Sequence, residues 1–357
     1  MNPNKFFRKR LISWYLQNKR DLPWRNTTDP YMIWLSEIIL QQTRVVQGLP
    51  YFLKFTEAFP TVFDLANASE TKVLRLWQGL GYYSRARNLH ACAKTIVEKY
   101  DGKFPDNYQE LLKLKGIGKY TAAAIASFAF QEAVPVIDGN VYRVLSRVFG
   151  IAEDIGSSRG QKVFAQLAGE LMDRDHPHDY NQAIMEFGAT YCTPSGPDCH
   201  NCIFTNECHA NKHGLQRDLP VKMKKVKVKT RFFHYLVIQH QGKILLRQRR
   251  QNDIWQGLYD FYLIEDVKPL DMNQIVHAKK PGWATYQNLN LQHLSNEYKH
   301  ILTHQRIFAR FFHVLPVNGF SLDLLEEPDN FGFYSIDEIN DLPKPILIDN
   351  YLNEHIF

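Results

Sequence analysis

The 357 residues are 45% hydrophobic and 13% aromatic, which supports two domains with cores of their own and excludes a disordered chain. A formal net charge of +6 favours a polyanionic partner over an acidic or neutral one. No apolar run approaches the roughly eighteen residues that a membrane helix needs, and the basic N-terminus, NKFFRKRLISWYLQNKR, lacks the apolar core of a secretory signal. No membrane contact is therefore expected.

From Phe6 to about His209 apolar residues recur at three- and four-residue spacing, with breaks at Pro30, Pro60, Gly79-Leu80-Gly81, Pro105, Gly116 and Pro135. The pattern predicts an all-α region. Residues Met32 to Leu40 are apolar almost all round, the mark of a helix buried on every side. Glu37 is the only ionisable group among them. Burial without a partner disfavours the charged carboxylate, so Glu37 is expected to titrate near neutrality, as a general acid does. The competing readings are a Glu that reaches solvent at the edge of a helix and a Glu paired with Arg44. Gln41 follows Glu37 by one turn on the same face, and Gln41, Gln42 and Thr43 can donate to and accept from a base edge.

The stretch from Leu114 to Arg143, LKGIGKYTAAAIASFAFQEAVPVIDGNVYR, joins a glycine hairpin, an alanine-rich helix and a second acid. Gly116 and Gly118 free two backbone positions for a tight turn of positive φ, so that the main chain can approach a phosphate. The helix opening at about Lys119 would offer that anion its free N–H groups. Asp138 follows an apolar extended segment and precedes a helix, where it reads as an N-cap. Capping N–H groups should hold its carboxyl below the usual range. One carboxyl pushed up and one held down is the division of labour that breaks a glycosidic bond: a neutral acid protonates the leaving group while an anion faces the oxocarbenium.

Four of the five cysteines, Cys192, Cys199, Cys202 and Cys208, crowd into seventeen residues with the spacing C-x6-C-x2-C-x5-C, while Cys92 stands alone as a predicted core thiol. Such crowding indicates a metal centre and not a disulfide framework. Zinc usually brings two tight pairs; the single tight pair and wider arms here suit an iron-sulfur cube, and both remain open on spacing alone. Between Gln216 and Arg231 seven basic residues stand against one acid, a solvated linker able to lie along DNA or simply a linker. Short alternating runs follow, FFHYLVIQ, KILLRQRR and LYDFYLI, punctuated by His240-Gln241-Gly242 and Asn252-Asp253, and predict a β-rich second domain.

Several motifs in this order resemble the helix-hairpin-helix DNA glycosylase superfamily and, within it, the adenine DNA glycosylases (the MutY family). They are PWR at Pro23 to Arg25, WLSEIILQQT at Trp34 to Thr43, GLGYYSRARNLH at Gly79 to His90, LKGIGKYTA at Leu114 to Ala122, DGNVYRVLSR at Asp138 to Arg147, and the four cysteines. The resemblance spans nearly the whole chain. It implies a multidomain fold of α and α+β type: a helix-hairpin-helix glycosylase domain over residues 1–215 with a 4Fe-4S loop at 192–208, a basic linker over 216–231, and a Nudix-like domain over 232–357. It implies that Glu37 protonates adenine at N7, that Asp138 stabilises or briefly bonds the sugar cation, and that Asn140 helps hold the site. DNA and base contacts are implied for Arg25, Gln41, Gln42, Thr43, Leu80, Tyr82, Gly116 and Gly118, with Gln42 and Tyr82 entering the opened duplex. Tyr120 stands where strand-cutting relatives carry lysine, so no Schiff base can form and a monofunctional enzyme is implied. The substrate implied is double-stranded DNA with A:8-oxoguanine or A:G mispairs; a cytoplasmic, nucleoid-associated monomer of bacterial type is implied with it, and downstream repair proteins as further partners. In the Nudix-like part no Arg-Glu-x-x-Glu-Glu box occurs, so nucleotide hydrolysis is not expected. Leu302-Thr303-His304 stands where the family has Phe-Ser-His, which makes Thr303 and His304 candidates for reading 8-oxoguanine; the competing reading is that Thr303 merely ends a strand.

Overall fold

The prolines and glycines act as the periodicity predicts. Pro30 opens the Pro30–Leu40 helix behind an Asp29 cap, the Val45–Ala58 helix stops just before Pro60, and Gly79 and Gly81 take φ of 101° and 69° in a turn. The computed structural model describes residues 3–223, 227–250, 252–277, 289–316 and 330–357; residues 224–226 of the basic linker lie outside these. Contacts divide the chain into two units, Met1–Ala66 with Ala91–Lys224, and Asn67–His90 with Lys225–Phe357.

The first unit is helical. The Pro177–Thr190 helix packs against both Pro3–Asn18 and Gly139–Phe149, and Pro30–Leu40 packs on Lys119–Phe130. Phe7, Trp14, Val144, Phe164, Phe187 and Phe204 are buried in one core, where Phe7 stacks on Phe204 at 4.7 Å. Aromatic pairing of this kind adds to area burial. In the Lys119–Phe130 helix every residue from Thr121 to Phe128 is buried. Its alanines have little side chain to hold neighbours away, and Tyr120 reaches Glu37.

The second unit is built on a mixed sheet. Its described strands are β1 (Lys229–His240), β2 (Lys243–Gln248), β3 (Tyr259–Asp260), β4 (Tyr262–Asp266), β5 (Leu289–Leu294), β6 (Tyr298–Ile301), β7 (Gln305–Pro316) and β8 (Phe331–Tyr334). β1 runs parallel to β7 and antiparallel to β2 and β4, and β6 and β7 form a hairpin. Gln241 and Gly242, both at positive φ, turn β1 into β2, as two-residue hairpins require. The Asn67–His90 segment lies in the first stretch of chain yet belongs here: Leu74 and Trp77 are buried, and the Arg87 guanidinium donates to the Gln256 carbonyl at 2.6 Å.

Candidate active site

Glu37 lies on the inner face of the Pro30–Leu40 helix and is 7% exposed. The Tyr120 hydroxyl donates to its Oε2 at 2.6 Å. Burial pushes the carboxyl up to about 7, against the Tyr120 hydrogen bond; nearby Asp138 raises it further and Arg25 lowers it. The elevated acid predicted from the apolar helix is therefore present, with Tyr120 as its hydrogen-bond partner and not Arg44. Tyr120 is itself held neutral, its phenol pushed far up by burial and by the two carboxylates.

Asp138 caps the Gly139–Phe149 helix, accepting from the Val141 N–H at 2.8 Å and, at its other oxygen, from Asn140 Nδ2 at 2.7 Å. The expected direction of its pKa is corrected. Burial raises the carboxyl above its ordinary value, and the Val141 and Asn140 donors with Arg143 offset this only in part. The cap is local, whereas the walls that exclude water come from residues distant in sequence, and desolvation wins.

Glu37, Leu40, Tyr120 and Asp138 line two adjoining clefts. One, of about 630 Å³, adds Gln41, Gln42, Gly116, Gly118 and Thr121. The other, of about 500 Å³, adds Arg25, Thr43, Asn140, Gln182 and Glu186. The predicted set Glu37, Asp138, Tyr120 and Asn140 is thus brought together, with Arg25, Gln41, Gln42, Thr43, Gly116 and Gly118 around it. Gln41 Nε2 donates to Thr121 Oγ1 at 3.3 Å, while Gln42 is exposed in a left-handed conformation with φ of 55°. The hairpin glycines differ from expectation: Gly116 has φ of 86°, but Gly118 is extended at φ −88°, with open space where a Cβ would stand.

Three supporting groups were not foreseen. Glu186, fully buried, accepts from Arg20 Nη2 and Arg25 Nη2, both at 2.6 Å, and although burial pushes it up these arginines hold it down at about 2. It fixes Arg25 at the cleft. Asn181 accepts from the Val136 N–H at 3.0 Å and donates to the Val134 carbonyl, holding the extended segment that delivers Asp138. Arg143 donates to Asn140 Oδ1 at 2.7 Å, to the Gly188 carbonyl and to the Cys192 carbonyl. Apart from the Arg143 bond to Asn140, three residues away, these contacts join distant stretches of the chain, and no local sequence pattern announces them.

Cys192, Cys199, Cys202 and Cys208 line one small enclosed cavity with Arg147, Phe187 and Phe204, and none is in a disulfide. Arg147 Nη1 and the Phe204 N–H approach Cys192 Sγ and Cys202 Sγ at 3.4 Å each. Cys92 is a buried thiol, as predicted.

In the second unit Leu80, Tyr82, Thr303 and His304 line a further cavity of about 360 Å³, with Arg87, Asp253, Trp255 and Gln305. The Tyr82 hydroxyl is hydrogen-bonded to Thr303 Oγ1. Tyr82 is at φ of 49° and 44% exposed. Thr303 occupies the turn between β6 and β7.

Comparison with known proteins also finds two parts, although the first of them runs through Asn67–His90, which packs with the sheet unit. Residues 35–169 match the family described as HhH-GPD superfamily base excision DNA repair protein, and residues 234–354 match the NUDIX domain family. An adenine DNA glycosylase of Buchnera aphidicola subsp. Baizongia pistaciae is 34% identical over 307 residues, 85% of this chain and 84% of the relative. An adenine DNA glycosylase of Arabidopsis thaliana is 38% identical over 300 residues, 73% of this chain, and the chain spans 48% of that relative's length. The solved structure of a thermostable thymine-DNA glycosylase superposes with a TM-score of 0.53 at 28% identity, covering 59% of this chain and 97% of that one.

Proposed function

The chain belongs to the adenine DNA glycosylase family, and from that premise we propose that it excises adenine mispaired with 8-oxoguanine, or with guanine, from double-stranded DNA. The observation that carries this reading is a buried carboxyl titrating near 7, with a second, half-buried carboxyl lining the same cleft, edged by a glycine hairpin. The flipped adenine enters beside Glu37. With Tyr120 donating to Oε2, Oε1 is left to carry the acid proton, which passes to adenine N7. The glycosidic bond then breaks, its electron pair leaving with the base, and the positive charge on the sugar faces Asp138. The desolvation that raises Asp138 also strengthens its attraction to that cation, since the same low dielectric governs both. Asn140 and the Val141 N–H hold its two oxygens in place. Water adds to the sugar and the product is an abasic site. No amine occupies the Tyr120 position, so the enzyme is monofunctional.

The helix beginning at Lys119 and the Gly116 to Gly118 hairpin receive a backbone phosphate, and the open space at Gly118 leaves room for that approach. Gln42 and Tyr82, both exposed or partly exposed at strained tips, are suited to enter the opened duplex. Thr303 and His304 read the opposing 8-oxoguanine.

The four cysteines hold a 4Fe-4S cluster. In support, the four cysteines line one cavity. Their spacing, one tight pair with wider arms, suits one thiolate per iron better than a single zinc. When bound, the cluster cross-links the 192–208 loop, which Arg143 and Arg147 tie to the Gly139–Phe149 helix through the Cys192 and Thr193 carbonyls.

Strand-specific excision on A:8-oxoguanine, A:G and A:C duplexes, developed with alkali, tests the reading. Adenine loss opposite 8-oxoguanine and guanine, with strand breaks only after alkali, is expected. Strand cleavage without alkali, with a borohydride-stable adduct, would contradict it.

A further inference from the structure

Two segments of the second unit line the cavity that holds Tyr82 and Thr303. One is the turn after β6, through Thr303, His304 and Gln305. The other is the Asp253–Gly257 turn, where Trp255 is held at φ of 63° with its ring against Phe233 and His300, at 6.1 and 5.5 Å. A bulky residue in the left-handed region persists only where its surroundings determine it. Here they do. Arg249 donates to Asp253 Oδ2 and to the Ile254 carbonyl, both at 3.1 Å, and Arg87 to the Gln256 carbonyl.

The two segments share one anchor, Arg231 on β1, which is 6% exposed. Its Nη1 donates to Asp253 Oδ1 and to Gln305 Oε1, each at 3.0 Å. Its Nη2 donates to Asp253 Oδ2 at 2.7 Å and Glu265 Oε2 at 2.5 Å, and its Nε to Glu265 Oε1 at 2.7 Å. A guanidinium has five N–H donors, and all of them are engaged within the protein. Arg231 therefore has none left for a phosphate or a base, despite its place at the end of a basic stretch. Two residues earlier on the same strand the Lys229 N–H holds the His304 carbonyl at 2.9 Å, so the start of β1 pins the Thr303 turn twice.

We propose that Arg231 is a positioning residue for recognition of the base opposite the excised adenine: it fixes the Asp253–Trp255 segment against the Thr303–Gln305 turn and thereby sets the preference for 8-oxoguanine over guanine. This rests on the reading that this cavity takes the opposing base. The two bases differ only at N7 and C8, so telling them apart depends on placing one hydroxyl at hydrogen-bond distance, and a small displacement of its turn forfeits the bond. A lysine would keep the charge and lose the fork that spans both segments.

The test is the ratio of dissociation constants for A:G and A:8-oxoguanine duplexes, measured for the wild type, Arg231→Lys, Glu265→Gln, Thr303→Ala and the Arg231→Lys/Thr303→Ala double variant, with thermal unfolding alongside. Glu265→Gln loosens Arg231 from the side away from the cavity and serves if Arg231→Lys folds poorly. We expect Arg231→Lys to lower the preference about tenfold and Glu265→Gln about threefold. Thr303→Ala should lower it too, and Arg231→Lys should add little in that background, which a merely structural arginine would not do. An unchanged ratio in both arginine-network variants while Thr303→Ala lowers it overturns the proposal alone, as does full additivity in the double variant. An unchanged ratio in Thr303→Ala overturns the reading of the cavity, and the proposal with it.

Discussion

Replacing Glu37 by glutamine keeps an acceptor for Tyr120 and removes the acid, so it separates the chemistry from the fold. The wild-type carboxyl titrates at about 7 when folded against 4.5 unperturbed. Excision requires the protonated form, so the single-turnover rate should be flat below about pH 6 and fall about tenfold per unit above about pH 8. The stability consequence has a definite sign. Between about pH 4.5 and 7 the folded state binds the proton and the unfolded state does not, so stability is full below the lower value and is lost as pH rises through the upper one. A raise of this size corresponds to about 3 kcal/mol, as an order of magnitude, at pH 8. Glu37→Gln should therefore lose adenine release, retain duplex binding, and unfold at higher urea than wild type at pH 8, with the difference vanishing near pH 4. A wild-type profile that stays level past pH 8.5, or a variant less stable than wild type at pH 8, would refute the reasoning.

Tyr120→Phe removes the hydrogen bond that lowers Glu37, so the alkaline limb of the rate profile should move to higher pH. Asp138→Asn preserves a good N-cap; it should lose excision by orders of magnitude with a melting temperature near wild type, and an intact rate would leave Asp138 only its capping role. Gly116→Ala, at φ of 86°, should cost about 1 kcal/mol in urea unfolding. Gly118→Ala meets no atom within 4 Å and should fold normally while weakening binding to duplexes of any sequence. Cys202→Ser should lower bound iron and inorganic sulfide in the purified protein, read by elemental analysis.

What could be read from the sequence was what local chemistry determines. A lone carboxylate in an apolar helix has few fates, so Glu37 and the direction of its pKa were legible. The cysteine spacing marked its loop for a similar reason. Asp138 was legible as a cap but not in its titration, because the cap is three residues long and its burial is assembled from segments up to a hundred residues away. The arginine pair on Glu186, the Asn181 brace and the Arg143 bridge belong to that same long-range class. At the hairpin, two glycines suggested two positive φ values where the turn needs one, because a glycine kept for space looks the same in sequence as one kept for conformation. The largest surprise is Asn67–His90, whose helical periodicity matches its sequence neighbours while its packing partners come from the sheet unit.

That segment bears on how the protein is made. Leaving the ribosome in order, Asn67–His90 emerges before the whole of residues 91–224, and only afterwards come the strands it belongs with. Leu74, which packs against Gly257, and Arg87, which holds the Gln256 carbonyl, must wait with their partners unsynthesised. The sheet unit thus cannot be completed by folding its own C-terminal stretch as it appears. A recombinant fragment beginning at the linker lacks a piece of its own core, and supplying residues 67–90 as a separate peptide is the natural way to restore it.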